Sequence, residues 1–152
     1  MRTQVRLTVL LALGIALAPV YAYASDNKVP DEQSIAALEA RANQAQPREQ
    51  PFLYAELVHQ MTELSVRQYA AGNVAKAVGL LQRIQALATK IHLSLASNDK
   101  RLKNAEILLS NTAFRLNEML HASDFEDRQV VQQTLAKVND AQDEAMMTVF
   151  EK

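Results

Sequence analysis

The chain has no cysteine and no tryptophan, and only three glycines and four prolines in 152 residues. Without cysteine there can be no disulfide, no thiolate metal site, no cysteine nucleophile and no covalent c-type haem attachment. An oxidising compartment permits such a composition without requiring it, so stability rests on apolar packing. The glycines stand at 14, 72 and 79 and the prolines at 19, 30, 47 and 51, so that neither occurs from Leu80 onward. No glycine-rich loop can cradle a phosphate, no serine sits in a nucleophile elbow, and the three histidines have no matched partners for a triad. A formal net charge of −1 lacks the electrostatic footprint of a nucleic-acid binder.

What is present begins with an export signal. Arg2 and Arg6 precede an uncharged stretch from Leu7 to Val20, and Ala22-Tyr23-Ala24 supplies the small-x-small pattern of a signal peptidase site. The apolar run falls short of the roughly 20 residues a membrane-spanning helix needs. The expectation is a cleavable signal peptide over 1–24 and a single helical domain over 25–152, exported to the periplasm or the exterior with no membrane span. Cleavage removes Arg2 and Arg6, taking the 16 basic residues to 14 against 17 acidic ones.

Nothing in the remainder alternates with period two, and good helix formers dominate it, so the fold class is all-α. A first helix is expected from about Asp31 to Ala45, with Ile35, Leu38 and Ala42 on its apolar face. Pro47 and Pro51 mark a break, or the opening turn of a second helix that runs to about Ala71 and carries Leu57, Met61 and Leu64. Gly72 suits a position of positive φ after that helix, and Asn73 suits the next N-cap, which predicts an antiparallel hairpin.

From Ala77, steps of four and three visit Leu81, Ile84, Ala88, Ile91, Leu95, Asn98, Leu102, Ala105, Leu109, Thr112, Leu116 and Met119. Only Asn98 and Thr112 interrupt this apolar seam, whose heptad phase resembles that of a coiled coil. Two architectures follow. One is a long central helix over about 74–121, shared by elongated antiparallel hairpins with an exposed apolar flank at each end. The other is a four-helix up-down bundle in which the chain turns at 97–100. Ser97, Asn98 and Asp99 are credible caps for a turn. Lys100, Arg101 and Lys103 would then fall in a helix's first turn, where the dipole disfavours cations, and this favours the long helix. A last helix is expected behind the capping-box pattern Ser123-Asp124-Phe125-Glu126, with Val131, Leu135, Val138, Ala145 and Val149 facing inward.

Two E-x-x-H motifs, Glu56 to His59 and Glu118 to His121, have the spacing used by di-iron carboxylate bundles. The first lies near the start of its helix and the second near the end of another. In parallel helices they would stand roughly 20 Å apart along the axis. His59 also falls with Glu56, Gln60, Glu63 and Arg67 on what reads as a polar, solvated face. No cofactor and no metal-binding or catalytic residue is therefore expected. A non-covalent haem would have to use Met61 or His92, and buried methionine is ordinarily core filler. The basic stripe Lys76, Arg83 and Lys90 recurs every seven residues and is either a solvated surface or a docking face for an acidic partner.

Gln68-Tyr-Ala-Ala-Gly72-Asn73-Val-Ala-Lys-Ala77 resembles the inter-helix turn of a tetratricopeptide repeat, without a second copy in the chain. More broadly, the stretches 38–64, Leu102 to Ile107 and Phe125 to Arg128 are similar to a family of small exported all-helical proteins of soil bacteria. That resemblance implies export and a helical fold and brings no chemistry with it. The functional expectation is a non-enzymatic interaction or scaffold protein of the bacterial envelope, acting through helix faces on a protein partner or a second copy. The alternatives are a metal- or haem-binding bundle and a periplasmic chaperone-like client binder.

Overall fold

A computed structural model describes residues 29–151, and within them the chain forms five α-helices and no strand. The signal-peptide expectation over 1–24 lies outside the described residues. Helix α1 (Glu32–Gln44) opens on a reciprocal cap, in which Asp31 Oδ1 accepts from the Ser34 amide at 2.7 Å and Ser34 Oγ accepts from the Asp31 amide at 3.0 Å. Helix α2 (Gln50–Ala70) follows a tight turn through Pro47 and takes Pro51 in its first turn, where no amide donor is needed. It ends in a Schellman motif: Asn73 N–H bonds Gln68 O, Gly72 N–H bonds Tyr69 O, and Gly72 has φ 82°.

Helix α3 (Val74–Ser94) does not continue into the seam's second half. The chain leaves it at Leu95 and starts α4 (Leu102–Ala122) only after Arg101, so the long helix over 74–121 does not form; the helices pack as a bundle, but without the α3–α4 neighbour contact of an up-down topology. The seam persists as two separate apolar faces, one on each helix. Ile84, Ala88 and Ile91 of α3 and Ala105, Leu109 and Leu116 of α4 therefore all still face the core. The helix dipole does not prevent the turn, because Lys100 and Arg101 lie before the first residue of α4 and have partners elsewhere, which leaves only Lys103 in its first turn. Lys100 Nζ bonds Glu49 Oε1 at 2.8 Å, and the Arg101 guanidinium lies 3.6 Å from the Phe52 ring centroid.

The expected capping box before the last helix does not form either. Ser123 Oγ donates to Met119 O at 2.6 Å and so closes α4, while a turn over 124–127 leads to α5 (Arg128–Phe150). Val131, Val138 and Ala145 are buried as expected, joined by Thr134, Ala141 and Thr148. The buried threonines 62, 112, 134 and 148 each donate to the carbonyl four residues back, which satisfies their hydroxyls inside an apolar core.

Helices α2 and α3 form one antiparallel hairpin and α4 and α5 a second, and the two stack in the same sense. Helix α2 packs beside α4, and α3 beside α5, whereas the consecutive helices α3 and α4 occupy opposite corners and do not pack. The cross-links run in parallel register: His59 meets Thr112, Glu63 meets Arg115, and Gln85 meets Thr134. Burial repeats accordingly. Tyr54, Val58 and Ser65 are matched by Ala105, Leu109 and Leu116, and Leu81, Ile84 and Ala88 by Val131, Thr134 and Val138. The repetition lies in burial and not in residue identity, which is why no second copy shows in the sequence.

Helix α1 covers the free side of α2. With α1, α3 and α4 all against it, α2 leaves only Arg67 and Ala70 exposed. Nothing among the described residues covers the second hairpin in the same way.

Candidate functional site

The residues singled out in the sequence separate in space. His59 is not on a solvated face. It is half-buried between α2 and α4, with Nδ1 3.2 Å from Thr112 Oγ1. Burial holds its pKa below the usual imidazole value, with Glu63 opposing and Arg115 reinforcing that shift. Arg115 bridges Glu63 at 2.7 Å and Glu118 at 2.5 Å, so the carboxylates of this interface meet a guanidinium. The two acceptors hold Arg115 firmly in its charged form. The second motif histidine, His121, lies roughly 13 Å further along α4 than Thr112. Among the described residues no three His, Asp or Glu side chains are grouped so as to hold a metal ion.

The basic stripe is divided among three surroundings. Arg83 Nη2 pairs with Glu39 of α1 at 2.7 Å. Lys90 Nζ lies 2.7 Å from the Tyr54 hydroxyl and 4.3 Å from that ring's centroid, while the same hydroxyl donates to Asn43 Oδ1. Lys76 is exposed beside a groove of about 300 Å³ that it shares with Arg83, Ile35 and Leu80.

Two other surfaces result from the stacking. The first is the outward side of the second hairpin. Ile107 and Phe114, seven residues apart on α4, share the side opposite Leu109, Thr112 and Leu116 and are exposed. On α5, Met147 and Phe150 likewise point away from Val138 and Ala141, with Met146 at their flank. Phe150 is 81% exposed and Phe114 63%, values at which a large apolar side chain has gained almost nothing from folding.

The second is a pocket of about 640 Å³ at the corner where the α1–α2 turn meets the α3–α4 connection. Its apolar lining comes from the exposed Ala37 and Ala40 of α1 and from the buried Phe52 and Leu53 at the start of α2. Its rim carries Arg41, Lys100 and Arg101, with Glu49 the acid among the lining residues. The connection is fixed in place: Lys100 N–H bonds Arg48 O at 2.9 Å, Arg48 Nε bonds Asn98 O at 2.9 Å, and Asp99 Oδ2 accepts from the Ala96 amide at 2.7 Å. Lys100 lowers the Glu49 pKa by hydrogen bond and charge. Arg101 has φ 57° and ψ 30°, a left-handed conformation that costs a side-chain-bearing residue roughly 1–2 kcal/mol. The strain is maintained by the surrounding bonds and sets the guanidinium over Phe52.

The sequence reading missed this pocket. Lys100 and Arg101 stood out as misplaced helix cations, and Arg41 did not stand out at all. The usable signal was that misfit itself: three cations at the start of α4 with no local acid except Asp99.

Comparison of the chain with protein-family models, with curated proteins and with solved structures returns no match.

Proposed function

We propose that the protein is a non-enzymatic helical interaction protein, exported to the bacterial envelope or exterior, that works through the outward face of its second hairpin. The reading is supported chiefly by one observation: the first hairpin is covered by α1, whereas the corresponding side of the second exposes Ile107, Phe114, Met147 and Phe150. Large exposed apolar groups gathered on one hairpin mark an association surface more often than a solvated one. No helix among the described residues is long and apolar enough to cross a membrane. The Leu7–Val20 run and the Ala22-Tyr23-Ala24 site are the grounds for export.

The test joins location and association. Mass spectrometry of protein from the producing cell's envelope and medium is expected to give an N-terminus at Ser25. Sedimentation and in-cell crosslinking are expected to show self-association or a defined envelope partner, lost in the Phe114→Asp, Phe150→Asp double variant while thermal unfolding stays in place. A strict monomer with no crosslinked partner overturns the reading.

A further inference from the structure

We propose that the corner pocket binds a small anionic amphiphile, a single carboxylate or phosphate headgroup carried on an apolar chain or ring. This inference is independent of the partner reading above, because none of the residues that carry it lies on the outward face of the second hairpin.

Four observations combine. The volume of about 640 Å³ is that of a small-molecule cleft, which spans about 300–1,000 Å³. Among the lining residues Ala37, Ala40, Phe52 and Leu53 are apolar and offer a surface against which a hydrocarbon can lie. The rim is unbalanced, since Glu49 is already engaged by Lys100, while Arg41 and Arg101 have no carboxylate partner among the described residues. The fourth is preorganisation. The connection's backbone is bonded to Arg48, and Arg101, in a strained left-handed conformation, has its guanidinium 3.6 Å from the Phe52 ring centroid and lines the pocket.

A guanidinium already ordered by stacking loses little further freedom when it binds an anion. Arg101 and the exposed Arg41, both lining one pocket, match one headgroup, whereas an extended polyanion would need a longer cationic track. A cationic ligand is repelled by the same rim, and a neutral one leaves both arginines without a partner. The apolar lining excludes a bare inorganic anion as the whole ligand, because burial of the hydrocarbon supplies the remaining affinity.

The test titrates the purified protein with decanoate, decyl phosphate, decyltrimethylammonium and decyl maltoside, each below its micelle concentration, by calorimetry and amide NMR. One-to-one saturation by either anion, with shifts at Phe52, Leu53 and Lys100, supports the proposal, and the preferred anion identifies the headgroup. Arg41→Gln and Arg101→Gly are expected to weaken that binding roughly tenfold or more. Glycine suits the left-handed position and Arg41 lies on an exposed helix surface, so both variants should fold, which circular dichroism checks. The proposal is overturned if neither anion saturates or if the ammonium or maltoside ligand binds as tightly. It is also overturned if both variants retain wild-type affinity, or if the shifts are confined to the surface around Phe114 and Phe150.

Discussion

The two hairpins occupy equivalent places in the stack but use their apolar residues in opposite ways. Helix α3 buries Leu81, Ile84 and Ile91 and exposes one large apolar side chain, Leu93. Helix α5, its parallel neighbour, buries Val131, Thr134, Val138, Ala141, Ala145 and Thr148 while exposing Met146, Met147 and Phe150. The same contrast holds between α2, which buries Phe52, Tyr54 and Met61, and α4, which leaves Ile107 and Phe114 outside. Burying an aromatic or aliphatic side chain is worth about 1.5–3 kcal/mol, so folding alone would favour the reverse placement on the second hairpin. The first hairpin buries most of its large apolar side chains, and the second leaves several of them exposed.

The largest expected effect tests that division in the core. Ile84→Ala should destabilise by about 3–4 kcal/mol, within the usual range for a buried isoleucine, and Val138→Ala by roughly half as much. Urea unfolding measures both, and equal losses would erase the contrast.

A second prediction concerns how the hairpins are joined. The Tyr69 hydroxyl accepts from the Asp124 amide at 2.9 Å and donates to Asp127 Oδ2 at 3.2 Å, clipping the α4–α5 turn to the end of α2. Tyr69→Phe should cost about 1–2 kcal/mol. Hydrogen exchange should rise first in 123–128, whereas a uniform rise across all helices would mean that the hairpins do not open separately.

The third uses the interface between α2 and α4. Burial favours neutral His59, so its folded pKa lies below 6.5 and the unfolded chain binds more protons just under that value. Stability from this group is complete above about pH 6.5 and declines as pH falls toward the folded pKa. His59→Gln should flatten the slope of stability just below about pH 6.5, and a slope unchanged in the variant would remove His59 as its source. The smallest effect should come from the open face, where Phe114→Ser is expected to change the unfolding free energy by no more than about 0.5 kcal/mol. A larger loss would show that Phe114 is part of the core.

The local features were legible wherever their causes were local. The Gly72 turn depends on bonds spanning three to five residues, so Gly72 announced it, whereas Asn73 stands at the N-cap position of α3 without a side-chain cap and donates to Gln68 Oε1 instead. Asn98 and Thr112 show the limit. Both interrupt the same apolar seam, yet Asn98 lies in the connection and Thr112 is a buried hydroxyl bonded to Leu108. Periodicity alone could not tell a break from a satisfied polar group. Nor could it show that the Glu56, His59 and Glu63 face of α2 would meet another helix.

The sequence by itself determined that the described chain is helical, which residues of each helix are apolar, and where α1, α2 and their turn fall. Those properties follow from propensity, capping and period, all of which act within a few residues. Tertiary structure decided that the chain breaks at 95–101, that α3 and α4 stand at opposite corners, and that a cationic pocket forms where the connection crosses. Each of these rests on contacts about fifty residues apart: Glu49 with Lys100, Phe52 with Arg101, and Arg48 with Asn98. A cation that looks misplaced beside its chain neighbours is correctly placed beside a partner that only folding brings near.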